Sequence, residues 1–147
     1  MESKARIGKH PIHPMLIPFP LALWTGGFLF DLLGKFSKHP YHHQTAYYMI
    51  AVGCIFAVIA AIPGLIDLFG ATAEGSEARR IGWTHAALNI AALLVFAYAV
   101  YTRHQVRNYI NMPGWIAELI GVAIIGVSGW LGGSLVYEHR VGVVERQ

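Results

Sequence analysis

Apolar residues along the chain gather into blocks separated by polar connectors, and four blocks are long enough to be spans. The first runs from about Met15 to Leu33, "MLIPFPLALWTGGFLFDLL", and the second from about Ala46 to Leu68. The third runs from Trp83 to Thr102 and the fourth from Trp115 to Tyr137. Each holds roughly 19–23 residues, close to the ~20 that cross a hydrocarbon core about 30 Å thick. Lipid offers no partner to backbone N–H and C=O groups, so the pattern predicts helices. Connectors of about a dozen residues then predict an all-α integral membrane bundle, four helices up-down-up-down, as a single domain over residues 1–147.

Prolines and glycines punctuate these blocks. In "GKHPIHPMLIPFP", Gly8 to Pro20, Pro14 suits a first helical turn, where a missing N–H is harmless, and Pro11 holds His10 extended or in a turn. Pro18 and Pro20 are expected to loosen the first helix and free carbonyls that then need partners. Pro63-Gly64 marks a kink ahead of a Gly/Ala/Ser-rich connector, Gly64 to Gly82, and Thr84 is the expected cap of the third helix. Gly129 and Gly133 form a GxxxG pair that allows close helix approach, inside one bundle or between protomers, and a homo-oligomer is expected.

Composition sharpens the membrane assignment. Apolar residues make up 55% of the chain and charged ones 13%, against about a quarter in soluble domains, and mean hydropathy is +0.47. The net charge of +3 lies in the connectors, with too little polar surface for a nucleic-acid stripe. The lipid bilayer is the expected partner. Cys54, alone, excludes an internal disulfide, and the first block lacks a small-residue cleavage site, so it is expected to be retained as a helix. No Gly-x-Ser-x-Gly nucleophile setting or phosphate loop appears, and Ser128 lies mid-helix.

Flanking charges set the expected orientation. Lys4, Arg6, Lys9, Arg79, Arg80, Arg140 and Arg146 share one side, against Lys35, Lys38, Arg103 and Arg107 on the other. The excess predicts an inner (plasma) membrane protein, multi-pass, with both termini in the cytoplasm.

The candidate chemistry lies in the histidines. On this topology His10 and His13 enter the first helix, His85 lies in the first turn or so of the third, and His139 follows the fourth. Asp67, near the end of the second helix, reaches the same level. Four helices thus bring four imidazoles and a carboxylate to one bundle end, the donor set of a metal or haem site. In "WTHAALN", His85 and Asn89 share a helix face at i, i+4, and a ligating His85 would need an acceptor on its other nitrogen. At the opposite end, Asp31 and Glu118 read as solvated interfacial residues, and "HPYHH", His39 to His43, as an exposed connector.

The stretches "GKHPIHPMLIPFPLALWTGGFLFDLL", "GLIDLFG", "GWTHAALNIAALLVFAYAVYTR" and "SGWLGGSLVYEHRVGV" resemble the domain of unknown function 2231 family, bacterial four-helix membrane proteins, from Gly8 to about Val143. The family's His-Pro-x-His-Pro opening falls on His10, Pro11, His13 and Pro14, and its later polar positions on Asp67, His85 and His139. Some relatives carry a Rieske iron–sulfur domain after such a unit, which implies an electron-transfer setting.

Three functions follow as expectations. The first is a b-type haem protein, an electron carrier with bis-histidine ligation: His10 or His13 opposite His85, with His139 as the alternative, and Arg6, Lys9, Arg79 and Arg80 available to the propionates. Its partner would be quinone or a Rieske-type or other redox protein. The second is a non-haem Zn, Cu or Fe site built from His10, His13, His85, His139 and Asp67, with Asp67 or Glu138 as a base were it catalytic. The third is a non-catalytic bundle with a buried polar network.

Overall fold

The helices outgrow the apolar blocks that announce them. The computed structural model describes residues 2–37, 39–106 and 112–143, so Lys38, Arg107 and Arg146 of the charge count lie outside the described residues. A hairpin of β1 (Arg6–Ile7) and β2 (His10–Pro11) leads into α1 (Ile12–Leu16), α2 (Pro18–Ser37), α3 (Pro40–Gly70), α4 (Glu77–Val106) and α5 (Met112–Tyr137). The hairpin pairs Arg6 with Pro11 and Ile7 with His10, turning through Gly8 at φ +61°, a left-handed conformation natural to glycine.

The first block is one span, Ile12–Ser37, with its helical hydrogen bonding loosened around Pro18 as expected: Ile17 keeps helical dihedrals and donates to the His13 carbonyl at 3.1 Å. A short α1 ends at Ile17, and Pro18, which has no N–H to give, opens α2. α3, by contrast, runs through Pro63 to Gly70, leaving only residues 71–76 between it and α4. The long connector expected over Gly64–Gly82 is therefore mostly helix, because each added residue satisfies one more backbone pair in a setting where water is scarce. The cap of α4 is Ser76, whose Oγ accepts the Arg79 N–H at 3.2 Å. Thr84 instead turns its hydroxyl back to the Arg80 carbonyl at 3.2 Å.

Four stretches, Ile12–Ser37, Tyr41–Gly70, Glu77–His104 and Gly114–Tyr137, are long and apolar enough to cross a membrane. No more than 22% of any of these apolar windows is buried inside the chain. Large side chains such as Ile55, Leu94, Val127 and Trp130 face outward, which suits hydrocarbon and not water. The helices close a ring: α2 packs on α3, α3 on α4, α4 on α5, and α5 on α2, with α1 against α3.

Midway along the ring lies an apolar core of Trp24, Ile50, Ala92, Phe96 and Ile125. Trp24 and Phe96 stack with centroids 4.5 Å apart and planes 15° off parallel. Phe96 can lie against α5 only because residue 121 is glycine, where a Cβ would come within 2.6 Å of the ring. This apolar layer separates two polar bundle ends.

Candidate functional site

The first end is capped by the chain's own N-terminal segment. Asp67 at the foot of α3 accepts the Lys4 N–H at 2.7 Å and the Ala5 N–H at 3.0 Å on Oδ1. The Ser3 hydroxyl lies 2.9 and 2.8 Å from its two oxygens. The carboxylate is thus spent on a strap, which Ile12 N–H bonding to the Ala5 carbonyl at 2.9 Å joins to α1. Asp67 borders the cavity described below, but its oxygens are turned to the strap.

His13 and His85 do meet. Their ring centroids are 6.4 Å apart with planes at 87°. His13 Nδ1 lies 2.7 Å from the Ala60 carbonyl of α3, and His85 Nδ1 lies 2.8 Å from the Ser128 carbonyl of α5. A carbonyl only accepts, so Nδ1 carries a proton in both rings, which leaves Nε2 as the nitrogen not held by the backbone. The Asn89 amide donates to His85 Nε2 at 3.0 Å, in agreement with that tautomer, and also to the His85 carbonyl at 2.9 Å. The Ser128 hydroxyl adds a contact to His85 Nδ1 at 3.1 Å.

Each ring rests on a glycine of the neighbouring helix. A Cβ on Gly64 would lie 2.8 Å from His13 Cε1 and Nδ1, and one on Gly132 would lie 3.1 Å from His85 Cε1. Ala60, the acceptor for His13, precedes Pro63 in α3, in a turn where proline leaves the helix one N–H short.

Beside the pair is a cavity of about 230 Å³, bordered by all four long helices and mostly apolar. One water needs only about 10–15 Å³ of such space, so the cavity is larger than a single water requires. His13, His85 and Asn89 line it; His10 and His139 do not. His10 is exposed on β2, and His139 is half-buried in the turn after α5, where Val141 N–H returns to the Leu135 carbonyl at 2.9 Å.

The cations expected at this end mostly hold other partners. Arg6 pairs with Glu2 at 2.6 Å and Arg80 with Glu77 at 3.6 Å, while Lys9 is exposed. Arg79 closes the end of α3, donating to the Phe69 carbonyl at 2.7 Å and pairing with Glu74 at 3.3 Å. The set of His10, His13, His85, His139 and Asp67 is therefore not assembled. Among the described residues, no three or more His, Cys, Asp or Glu are placed to hold a metal ion.

The opposite end corrects the expectation of solvated residues there. Asp31, His43, Arg103 and Glu118, one from each long helix, are 2%, 1%, 2% and 0% exposed. Asp31 Oδ1 contacts His43 Nδ1 at 2.6 Å and its Oδ2 contacts Arg103 Nη2 at 2.6 Å; Arg103 Nη2 also pairs with Glu118. Gly34 makes room for the His43 ring, which a Cβ would approach within 2.6 Å. The available signal was two carboxylates within apolar spans, where an unpaired charge is costly. Among the described histidines of this end, His39 and His104 are exposed on the rim and His42 is half-buried.

Neither a curated protein nor a solved structure matches the chain. A family model described as a predicted membrane protein (DUF2231) matches residues 9–145, from the start of the His-Pro segment past α5. With four membrane-length helices behind that match, the chain belongs to the DUF2231 family of multi-pass membrane proteins.

Proposed function

We propose that the protein is an integral membrane b-type haem protein, an electron carrier that binds one haem between His13 and His85. The observation that carries this reading is the pair of neighbouring imidazoles, ring centroids 6.4 Å apart, each with Nδ1–H fixed on a backbone carbonyl, which leaves Nε2 as the nitrogen available for ligation. That is the outer hydrogen bonding that orients ligating histidines. A structural zinc site takes four protein ligands and a catalytic one three, but two imidazoles are the full protein share of a bis-histidine haem. The donor count at this end is two, which favours haem over a bare ion.

His13 and His85, with ring centroids 6.4 Å apart, would hold the group between them. Gly64 and Gly132 provide the cradle, and the apolar wall includes Trp24, Leu93 and Ile125. The Asn89 amide is the one group that must turn aside to free His85 Nε2.

When bound, haem supplies reversible one-electron chemistry. The chain orients both imidazoles, surrounds the site with apolar side chains and closes its end with the strap held by Asp67. In this reading the termini face the cytoplasm on the distribution of Lys and Arg, and the partner is a quinone or a Rieske-type redox protein.

Haem content per purified chain tests the assignment. His13→Ala and His85→Ala should each lose bound haem, while His10→Ala and His139→Ala keep it. Haem retained in both of the first two variants would exclude this pair as the axial ligands.

A further inference from the structure

The end of the bundle opposite His13 and His85 holds a polar set that an electron carrier would not require for ligation. We propose that Glu118 is a buried proton-binding site, a carboxylic acid that carries one exchangeable proton between the four helices at the membrane face opposite the histidine pair.

The geometry comes first. A single nitrogen, Arg103 Nη2, touches both Asp31 and Glu118, so the two carboxylates lie side by side. Asp31 has a partner on each oxygen, Arg103 on one and His43 Nδ1 on the other, both at 2.6 Å. Glu118 has one partner, Arg103 on Oε1, and its Oε2 has none among the described residues. His43 Nδ1 meets Asp31 Oδ1, and its Nε2 is buried without a hydrogen-bond partner among the described residues.

The charge count follows. With both carboxylates ionised, the buried set has two negative charges against the one positive charge of Arg103. Among the described residues the remaining charged neighbour is Lys35, half-buried on α2 with its Nζ 3.5 Å over the Trp115 ring, and it offsets charge from the rim. Two carboxylates that share a site do not both ionise readily, and an unbalanced charge away from water is costly. One added proton makes the buried set neutral. Asp31, with two donors, is the carboxylate better served by staying ionised, which leaves the proton to Glu118.

Infrared spectroscopy of the whole chain in lipid vesicles at neutral pH, in H2O and in D2O, tests this. Above the amide bands, a protonated carboxyl gives a C=O stretch that shifts on deuteration. The wild type should show one such band, Glu118→Gln should abolish it, and Glu118→Asp should move it. If Glu118→Gln does not fold, the band shift in Glu118→Asp decides. A wild type without the band, or a band unchanged by substitution at Glu118, would overturn the proposal. Haem content has no part in the measurement, so its outcome is independent of the function proposed above.

Discussion

Gly64→Ala probes the histidine pair without touching a candidate ligand. A Cβ at residue 64 would stand 2.8 Å from His13 Cε1 and Nδ1, whereas carbon contacts settle at about 3.5–4.0 Å. The ring must recede by roughly 1 Å, which carries its 2.7 Å bond to the Ala60 carbonyl beyond the ~3.2 Å limit of a good hydrogen bond. Overpacking costs about 1–3 kcal/mol and the lost bond about 0.5–1.5 kcal/mol. Replacing helical glycine by alanine returns about 1 kcal/mol, so the net is a destabilisation of about 0.5–3.5 kcal/mol. Gly126→Ala is the control, since nothing lies within 4 Å of its Cβ position and only the helix gain remains. The assay is thermal unfolding in detergent together with haem bound per chain. Gly64→Ala should unfold at lower temperature than Gly126→Ala and hold less haem. Equal stability and equal haem content in the two variants would refute the view that Gly64 seats His13.

Other substitutions test the remaining contacts. Arg103→Ala leaves two buried carboxylates without their cation and should cost about 3–5 kcal/mol in detergent unfolding, whereas Arg80→Ala, on the surface, should be indistinguishable from wild type. Asp67→Ala removes the acceptor of two backbone N–H groups and the Ser3 hydroxyl; limited proteolysis should then cut within residues 2–11 before any of the helices. If that segment is no more sensitive than in wild type, the carboxylate does not hold the strap.

The four spans were legible because they must be apolar to lie in lipid, and Pro18 made a loosening of the first helix expected. His13 and His85 were legible as members of one bundle end, but their selection from four histidines was not. It depends on Gly64, Gly132 and the carbonyls of Ala60 and Ser128, which carry no titratable group to attract notice. Asp67 read as a ligand because a carboxylate near a helix end and a cluster of histidines share one level. The backbone of residues 4 and 5, whose conformation no periodicity reports, takes its oxygens instead. The tetrad escaped notice for a related reason. Asp31, His43, Arg103 and Glu118 each look like rim residues singly, and the pair that defines the set, Asp31 and Arg103, is 72 positions apart.

The central claim is that His13 and His85 hold a haem, and the reduced-minus-oxidised visible spectrum of the purified protein tests it most directly. A Soret shift and a sharp α-band in the wild type, absent from His13→Ala and His85→Ala, is the predicted result. A flat difference spectrum from protein made in cells with ample haem would contradict it.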